Sequence, residues 1–324
     1  MSAALQAFMT GLVDYAGLFP PAKLTMPAAV DQYARHLDEN ASWMLGRFIV
    51  PAGRLDEFEA AAAGFVRAAQ PWRLSVLLGD RQDPEKTLAS LPDLAGRVMA
   101  FEQDQAGAVA VEVFEIPLPA DLDPAEVAVF VTRVGAGLDS VGLSGREQYW
   151  EIPPTAPPEA EAALLDGLRD AAKELAADSV AGGRLGLKLR CGGVTPEAFP
   201  SVERVARILA GARDRGLPFK GTAGLHHPLR FQATKPAVMM HGFFNVFGAA
   251  LLAHSRGWDA ERLVPVVAET DPSAFRFSAG EFSWRGESVT TADVQRLRRD
   301  LLSGFGSCSF AEPREDLQKL GHLA

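Results

Sequence analysis

Leu185-Gly-Leu-Lys-Leu-Arg-Cys-Gly-Gly193 reads as one β-strand closed by a glycine turn. By period-two parity Leu185, Leu187 and Leu189 share one face, while Gly186, Lys188, Arg190 and Gly192 share the other. The amphipathic stretch Pro196–Arg215 follows directly, so the strand is the first half of a βα unit. The same unit repeats outward. Candidate strands end near Phe19, Val50, Leu78, Glu115, Glu151, Arg190 and Thr222, spaced by roughly 30–40 residues, the length of a strand with its crossover helix. Arg54–Ala69, Glu85–Gln103, Pro124–Leu138 and Pro158–Ala177 supply the intervening helices. Arg47-Phe-Ile-Val50 and Leu74-Ser-Val-Leu-Leu78 are almost wholly apolar, as in a parallel sheet covered on both faces. Seven units before residue 230, with no G-x-G-x-x-G turn after an early strand, favour a closed (β/α)8 TIM-like barrel over an open doubly wound sheet. The eighth strand is either Phe243–Phe247 or lies elsewhere, the segment being helical through His254; periodicity leaves both open.

After about Asp271 the pattern changes. Ala274-Phe-Arg-Phe-Ser-Ala-Gly-Glu-Phe-Ser-Trp-Arg-Gly286 alternates around Ala279-Gly280 and predicts a β-hairpin. A helix over Ala292–Leu302, capped by Thr290 or Thr291, follows, and a last helix opens at Pro313. The expected organisation is a barrel over residues 1–270 with a C-terminal hairpin and helices, 271–324, packed on it.

With 324 residues, 48% hydrophobic and 23% charged, the chain can bury a sizeable core. A net charge of −9 argues against a nucleic-acid surface but leaves room for a locally basic site. Cys191 and Cys308 stand far apart and outside any C-x-x-C spacing, which argues against a disulfide framework and points to a reducing cytoplasm. Pro236–Ser255 carries no Lys, Arg, Asp or Glu, yet it contains His241, Asn245 and His254 and reads as a buried element rather than a membrane span. The expected partner is therefore a small anionic molecule, with no nucleic acid and no membrane; a homo-oligomer is compatible with the composition.

Seven lysines against 25 arginines make a lysine inside a strand a selective choice. Lys188 and Lys220 both sit in strands, and parity turns Lys188 and Arg190, then Lys220, Thr222, Gly224 and His226, into the barrel near the strands' C-terminal ends, where barrel active sites lie. Desolvation is expected to lower a lysine pKa and free the amine as base or Schiff-base nucleophile; the alternative is that each lysine pairs with a carboxylate in a structural network. Glu115 and Glu151 close two preceding units in the related phrases Phe114-Glu-Ile-Pro117 and Trp150-Glu-Ile-Pro153, placed to meet the lysines as ion-pair partners, acid/base groups or metal ligands. Glu112 and Glu147 are less well placed. His226 at the rim is an acid/base candidate, since Pro228 ends the strand at His227. His241 and Asn245 share a helical face and line the pocket or form a satisfied core pair. The small-residue turns Thr222-Ala-Gly224, Gly192-Gly193 and Gly304-Phe-Gly-Ser-Cys-Ser309 offer N–H groups to an anion, with Arg190 and Arg230 as charges and Ser307 and Cys308 beside them. Cys308, with Ser on both sides, stands near a helix start, where a thiolate is favoured, but a plain buried cysteine is the expected reading.

The phrases Lys188-Leu-Arg-Cys-Gly-Gly193, Phe219-Lys-Gly-Thr-Ala-Gly-Leu-His-His-Pro228 and Gly306-Ser-Cys-Ser-Phe-Ala-Glu-Pro313 resemble those of an uncharacterised bacterial protein family. Separately, Phe219-Lys-Gly-Thr-Ala-Gly224 is similar to the lysine strand of deoxyribose-phosphate-type class I aldolases. That resemblance implies Lys220 as Schiff-base nucleophile and Lys188 as the second lysine that tunes it; in those enzymes the second lysine follows the nucleophile, whereas Lys188 precedes Lys220.

The leading expectation is a barrel enzyme that uses neither metal nor cofactor and acts on a small anionic carbonyl compound by lyase or aldolase chemistry. Lys220 is then nucleophile or base, with Lys188 and Arg190 stabilising negative charge and Glu115, Glu151 or His226 moving protons. Two alternatives stand beside it: a divalent-metal isomerase or enolising enzyme, with the ion on Glu115, Glu151 and a rim histidine, and a barrel that only binds a ligand.

Overall fold

A computed structural model describes residues 1–143, 145–178 and 183–323. The chain opens with α1 (Ala3–Met9), whose N-cap Ser2 accepts from the Leu5 N–H, and passes into β1 (Val13–Tyr15). There follow α2 (Met26–Leu37), β2 (Leu45–Pro51), α3 (Leu55–Ala62), β3 (Trp72–Leu77) and α4 (Pro84–Asp104). Next come β4 (Val109–Pro117), α5 (Val127–Ser140), β5 (Glu147–Glu151), α6 (Pro158–Asp178), β6 (Leu185–Arg190), α7 (Val202–Asp214) and β7 (Phe219–Thr222). Beyond β7 a two-stranded ribbon, β8 (Phe231–Gln232) and β9 (Met239–Met240), precedes α8 (Phe243–Arg256) and α9 (Ala260–Ala268). A three-stranded antiparallel sheet of β10 (Phe275–Phe277), β11 (Glu281–Trp284) and β12 (Glu287–Thr290) leads to α10 (Thr291–Asp300), β13 (Leu302–Ser307) and α11 (Ala311–Lys319).

Eight strands close into a parallel barrel in the order β1-β13-β7-β6-β5-β4-β3-β2. This is the TIM-like (β/α)8 architecture that the repeating units predict, and six of the seven expected strand ends fall within two residues of a barrel strand's end. The first strand is the exception, being the three-residue β1 rather than a strand ending near Phe19. The eighth strand is not Phe243–Phe247. That run is the start of α8, which buries Phe243 through Ala253 without a break and ends at the left-handed Gly257. It also accounts for the uncharged stretch Pro236–Ser255, and no helix among the described residues is long and apolar enough to cross a membrane.

The strand that closes the barrel comes instead from residues 271–324, the segment expected as an appendage. β13 pairs on one side with β1, Val13 opposite Phe305, and on the other with β7, Thr222 opposite Gly306. Gly304, which read as part of a turn, is required by that position: a Cβ on it would stand 2.6 Å from the Leu12 carbonyl oxygen. Arg298 of α10 fastens the strand's entry, donating to the carbonyls of Phe8, Thr10, Leu302 and Ser303. The expected hairpin is present as β10–β11 and is extended by β12, and Thr290 caps α10. The last helix starts at Ala311, two residues before Pro313.

By internal contacts the chain divides into two compact units, Met1–Ala22 with Glu39–Gly46 and Leu189–Ala324, and Lys23–Asp38 with Arg47–Lys188. The first is centred on Phe8, Phe244, Phe277 and Phe282, whose rings meet at centroid separations of 4.8–5.5 Å. The second packs Tyr33, Phe48, Phe58 and Trp72 into a comparable cluster.

Candidate active site

The unit that ends at Lys188 holds a buried ionic cluster. β4, β5 and β6 run in a staggered parallel register, Pro117 opposite Glu151 and Glu151 opposite Lys188. The odd-numbered glutamates and Lys188 therefore project to one face, and Lys188 Nζ meets Glu115 Oε2 at 2.6 Å and Glu151 Oε2 at 2.8 Å. Ser75 of β3 donates to Glu115 Oε1 and Arg81, after β3, to Glu151 Oε1, each at 2.6 Å. Lys188 and both glutamates are at most 3% exposed, so each charge depends on its partners. Burial works against the ammonium, but the two carboxylates outweigh it and raise the Lys188 pKa. Of the two expectations for this lysine, the pairing with carboxylates is the one present, and it holds Lys188 as an ammonium in place of a free amine. The sequence reading named Glu115 and Glu151 but passed over Ser75 and Arg81. Glu112 and Glu147 serve elsewhere, bonded to Arg47 and to Arg184.

The other unit holds Lys220, fully buried and paired through Nζ with Asp14 Oδ2. Asp14 comes from β1, the short strand that sequence reasoning misplaced; its only signal was a lone acid in the apolar run Leu12-Val-Asp-Tyr-Ala16. Two residues beyond Lys220, β7 ends in Thr222, and Ala223 and Gly224 follow at φ +57° and +71°. Gly224 lies against Gly192: a Cβ on it would approach the Gly192 Cα to 2.8 Å. The two glycine turns are therefore glycine because their backbones touch, and Cys191 N–H donates to the Thr222 carbonyl between them.

Past these turns a cleft of about 1030 Å³ opens, lined among others by Gly193, Gly224, His226, Cys308, Ser309 and Glu312. His226 Nδ1 faces Glu312 Oε2 at 3.1 Å and Ser307 Oγ at 3.2 Å. Ser307 Oγ already donates to the Ser309 carbonyl at 2.7 Å, so the proton in the contact belongs to the imidazole. Nδ1–H then donates toward Glu312 and Ser307. The hydrogen bond from His226 holds the Glu312 carboxyl below its usual range, in the ionised form that orients such a ring. Glu312, from α11, is a functional candidate that the sequence reading passed over, although the quoted Ser-Phe-Ala-Glu-Pro phrase contained it. The neighbouring His227 turns to Asp316, one helical turn on from Glu312, and sets its ring edge-on to Phe231.

The remaining expected residues separate into rim and scaffold. Thr222 and Arg190 end their strands half-buried. Cys308 reaches the cleft, but burial raises its thiol pKa, as it pushes Cys191 up to about 12; neither is an activated thiolate. His241, Asn245 and Arg230 form a satisfied core network. Asn245 accepts from the Arg230 N–H and donates to the carbonyls of Val266 and Glu269, while His241 donates from Nε2 to the Pro200 carbonyl and accepts at Nδ1 from Arg230.

Burial pushes the His241 pKa down to about 4, with the Arg230 charge adding to it, so the native ring stays neutral. Against an unfolded value near 6.5, this contribution is full above that pH and disappears as pH falls toward 4, a loss of about 3 kcal/mol. Urea unfolding at pH 7 and pH 4.5 checks it: His241→Gln should reduce the difference between the two, and an unchanged difference would assign the pH dependence to other groups.

Among the described residues no three His, Cys, Asp or Glu side chains gather as a metal centre would need. Glu115 and Glu151, the expected metal ligands, enclose the Lys188 ammonium instead. No protein-family model matches the sequence, and a search of curated proteins returns no match.

Proposed function

We propose that this barrel is a lyase of the aldolase type acting on a small anionic carbonyl compound, with Lys220 as the amine that engages the carbonyl and His226 as the group that moves protons. The observation that carries the reading is the His226–Glu312 pair on the cleft, an imidazole held through Nδ1 by a carboxylate. β7 and the loop it enters supply both Lys220 and His226, and Asp14 stands beside the amine as an acceptor for its proton. The exposed Lys235 on the same cleft offers a cation to the substrate's anionic end.

In this chemistry Lys220 passes its proton to Asp14 and adds to the carbonyl carbon, and water leaves to give an iminium. His226 Nε2 takes the proton of the β-hydroxyl as the adjacent C–C bond breaks. The bond's electrons flow into the iminium as an enamine, and protonation and hydrolysis release the second product. Lys188, enclosed by two carboxylates against the one beside Lys220, is read as a charge-balancing group and not as the nucleophile. Borohydride reduction in the presence of short aldehydes and 2-oxo acids should leave a covalent adduct on Lys220, located by peptide mass. Turnover without any Lys220 adduct would transfer the reading to non-covalent enolisation at His226.

A further inference from the structure

The cleft is larger and more apolar than a three- or four-carbon acid requires. Its volume of about 1030 Å³ lies at the upper end of the roughly 300–1,000 Å³ typical of sites for much larger ligands. Its polar side chains include His226 and His227 after β7, Gln232, Thr234 and Lys235 on the ribbon segment, and Ser309 and Glu312 around the start of α11. A separate set of lining residues is apolar. Phe231 of β8 and Met240 of β9 are cross-strand partners on the ribbon beyond β7. Val194, on the turn after β6, leaves 63% of its surface open.

The ribbon is tied to the reacting end. Phe231 packs against the His227 ring at 4.5 Å between centroids, and His227 is the neighbour of His226 in the chain and is itself held by Asp316. The apolar wall is thus fixed relative to the acid/base pair.

From this arrangement we infer that the substrate carries an apolar group, a branched alkyl or aromatic side chain, beyond its anionic carbonyl head, and that Val194, Phe231 and Met240 receive it. The inference rests on the lyase reading of the cleft and adds the substrate's second half. The occupant is a small molecule rather than a protein segment, because the wall is continuous with the group that performs the chemistry.

Titration calorimetry on the full chain tests it with pyruvate, 2-oxobutanoate, 4-methyl-2-oxopentanoate and phenylpyruvate, and with the corresponding saturated acids. Each buried methylene should tighten binding about four-fold, so the branched and aromatic acids should exceed pyruvate by at least ten-fold. Val194→Asp and Met240→Asp, both at solvent-reached positions, should reduce that discrimination while the thermal transition stays in place. Equal affinity for pyruvate and phenylpyruvate would overturn the inference and leave the lyase reading standing. Tightening that is the same in oxo and saturated acids would support the apolar wall and remove the carbonyl chemistry. Binding of none of the acids would overturn both.

Discussion

Replacing Lys188 by methionine is expected to lower the unfolding free energy by about 3–5 kcal/mol, the cost of leaving a buried ion pair without one partner. The lysine compensates two carboxylates that are each 1% exposed, and a methionine of similar volume fills the space without supplying charge. One glutamate would then have to take up a proton. Adding Glu115→Gln and Glu151→Gln to the same chain should recover a large part of the loss, since the residual groups are neutral and Ser75 can still donate. Urea unfolding with an unchanged denaturant slope gives the measurement. A loss under about 1 kcal/mol would mean that the cluster is wetter than its burial implies. The pH dependence has a definite sign. Because the folded pKa of Lys188 is raised, its contribution is fully present at neutral pH. It is lost only above about 10.4, as pH rises through the folded value.

The second large effect concerns rate rather than stability. His226→Gln should slow turnover by about 10²–10⁴-fold, the usual contribution of a positioned acid/base group, read on whichever carbonyl compound traps Lys220. Glu312→Gln should cost less, because an amide oxygen still accepts from Nδ1 but no longer stabilises the imidazolium. Glu312 is exposed at the surface of α11, so its substitution leaves the core untouched. A His226→Gln protein that turns substrate over at the wild-type rate would remove the histidine from the mechanism.

Most of the barrel could be read from the sequence because strands covered on both faces are apolar runs, as in β2 and β3, and because β6 alternates leucines with the residues of its other face. The last strand could not. Leu302-Ser-Gly-Phe-Gly-Ser307 has the composition of a turn, and Gly304 reflects the close approach of the Leu12 backbone, a contact that local pattern does not carry. The helix at Phe243–Arg256 was ambiguous for the opposite reason: it is buried on all sides and so has no polar face to set a period. At the candidate site, parity placed Lys188 with its glutamates. It could not weigh desolvation against two carboxylates, and the sign of the pKa shift came out reversed. Asp14 and Glu312 were missed because their partners lie more than eighty residues away in the chain.

The pairing of Val13 with Phe305 has a consequence for biosynthesis. β1 leaves the ribosome long before its partner β13. Until residue 307 emerges, β1 and β7 each carry an open edge of unpaired N–H and C=O groups, the kind of template that recruits other strands. Such closure joins segments far apart in the chain, a topology that folds slowly. Synthesis of this chain therefore passes through a long-lived incomplete barrel, and a premature stop anywhere upstream of Leu302 leaves a chain suited to aggregation or to capture by chaperones.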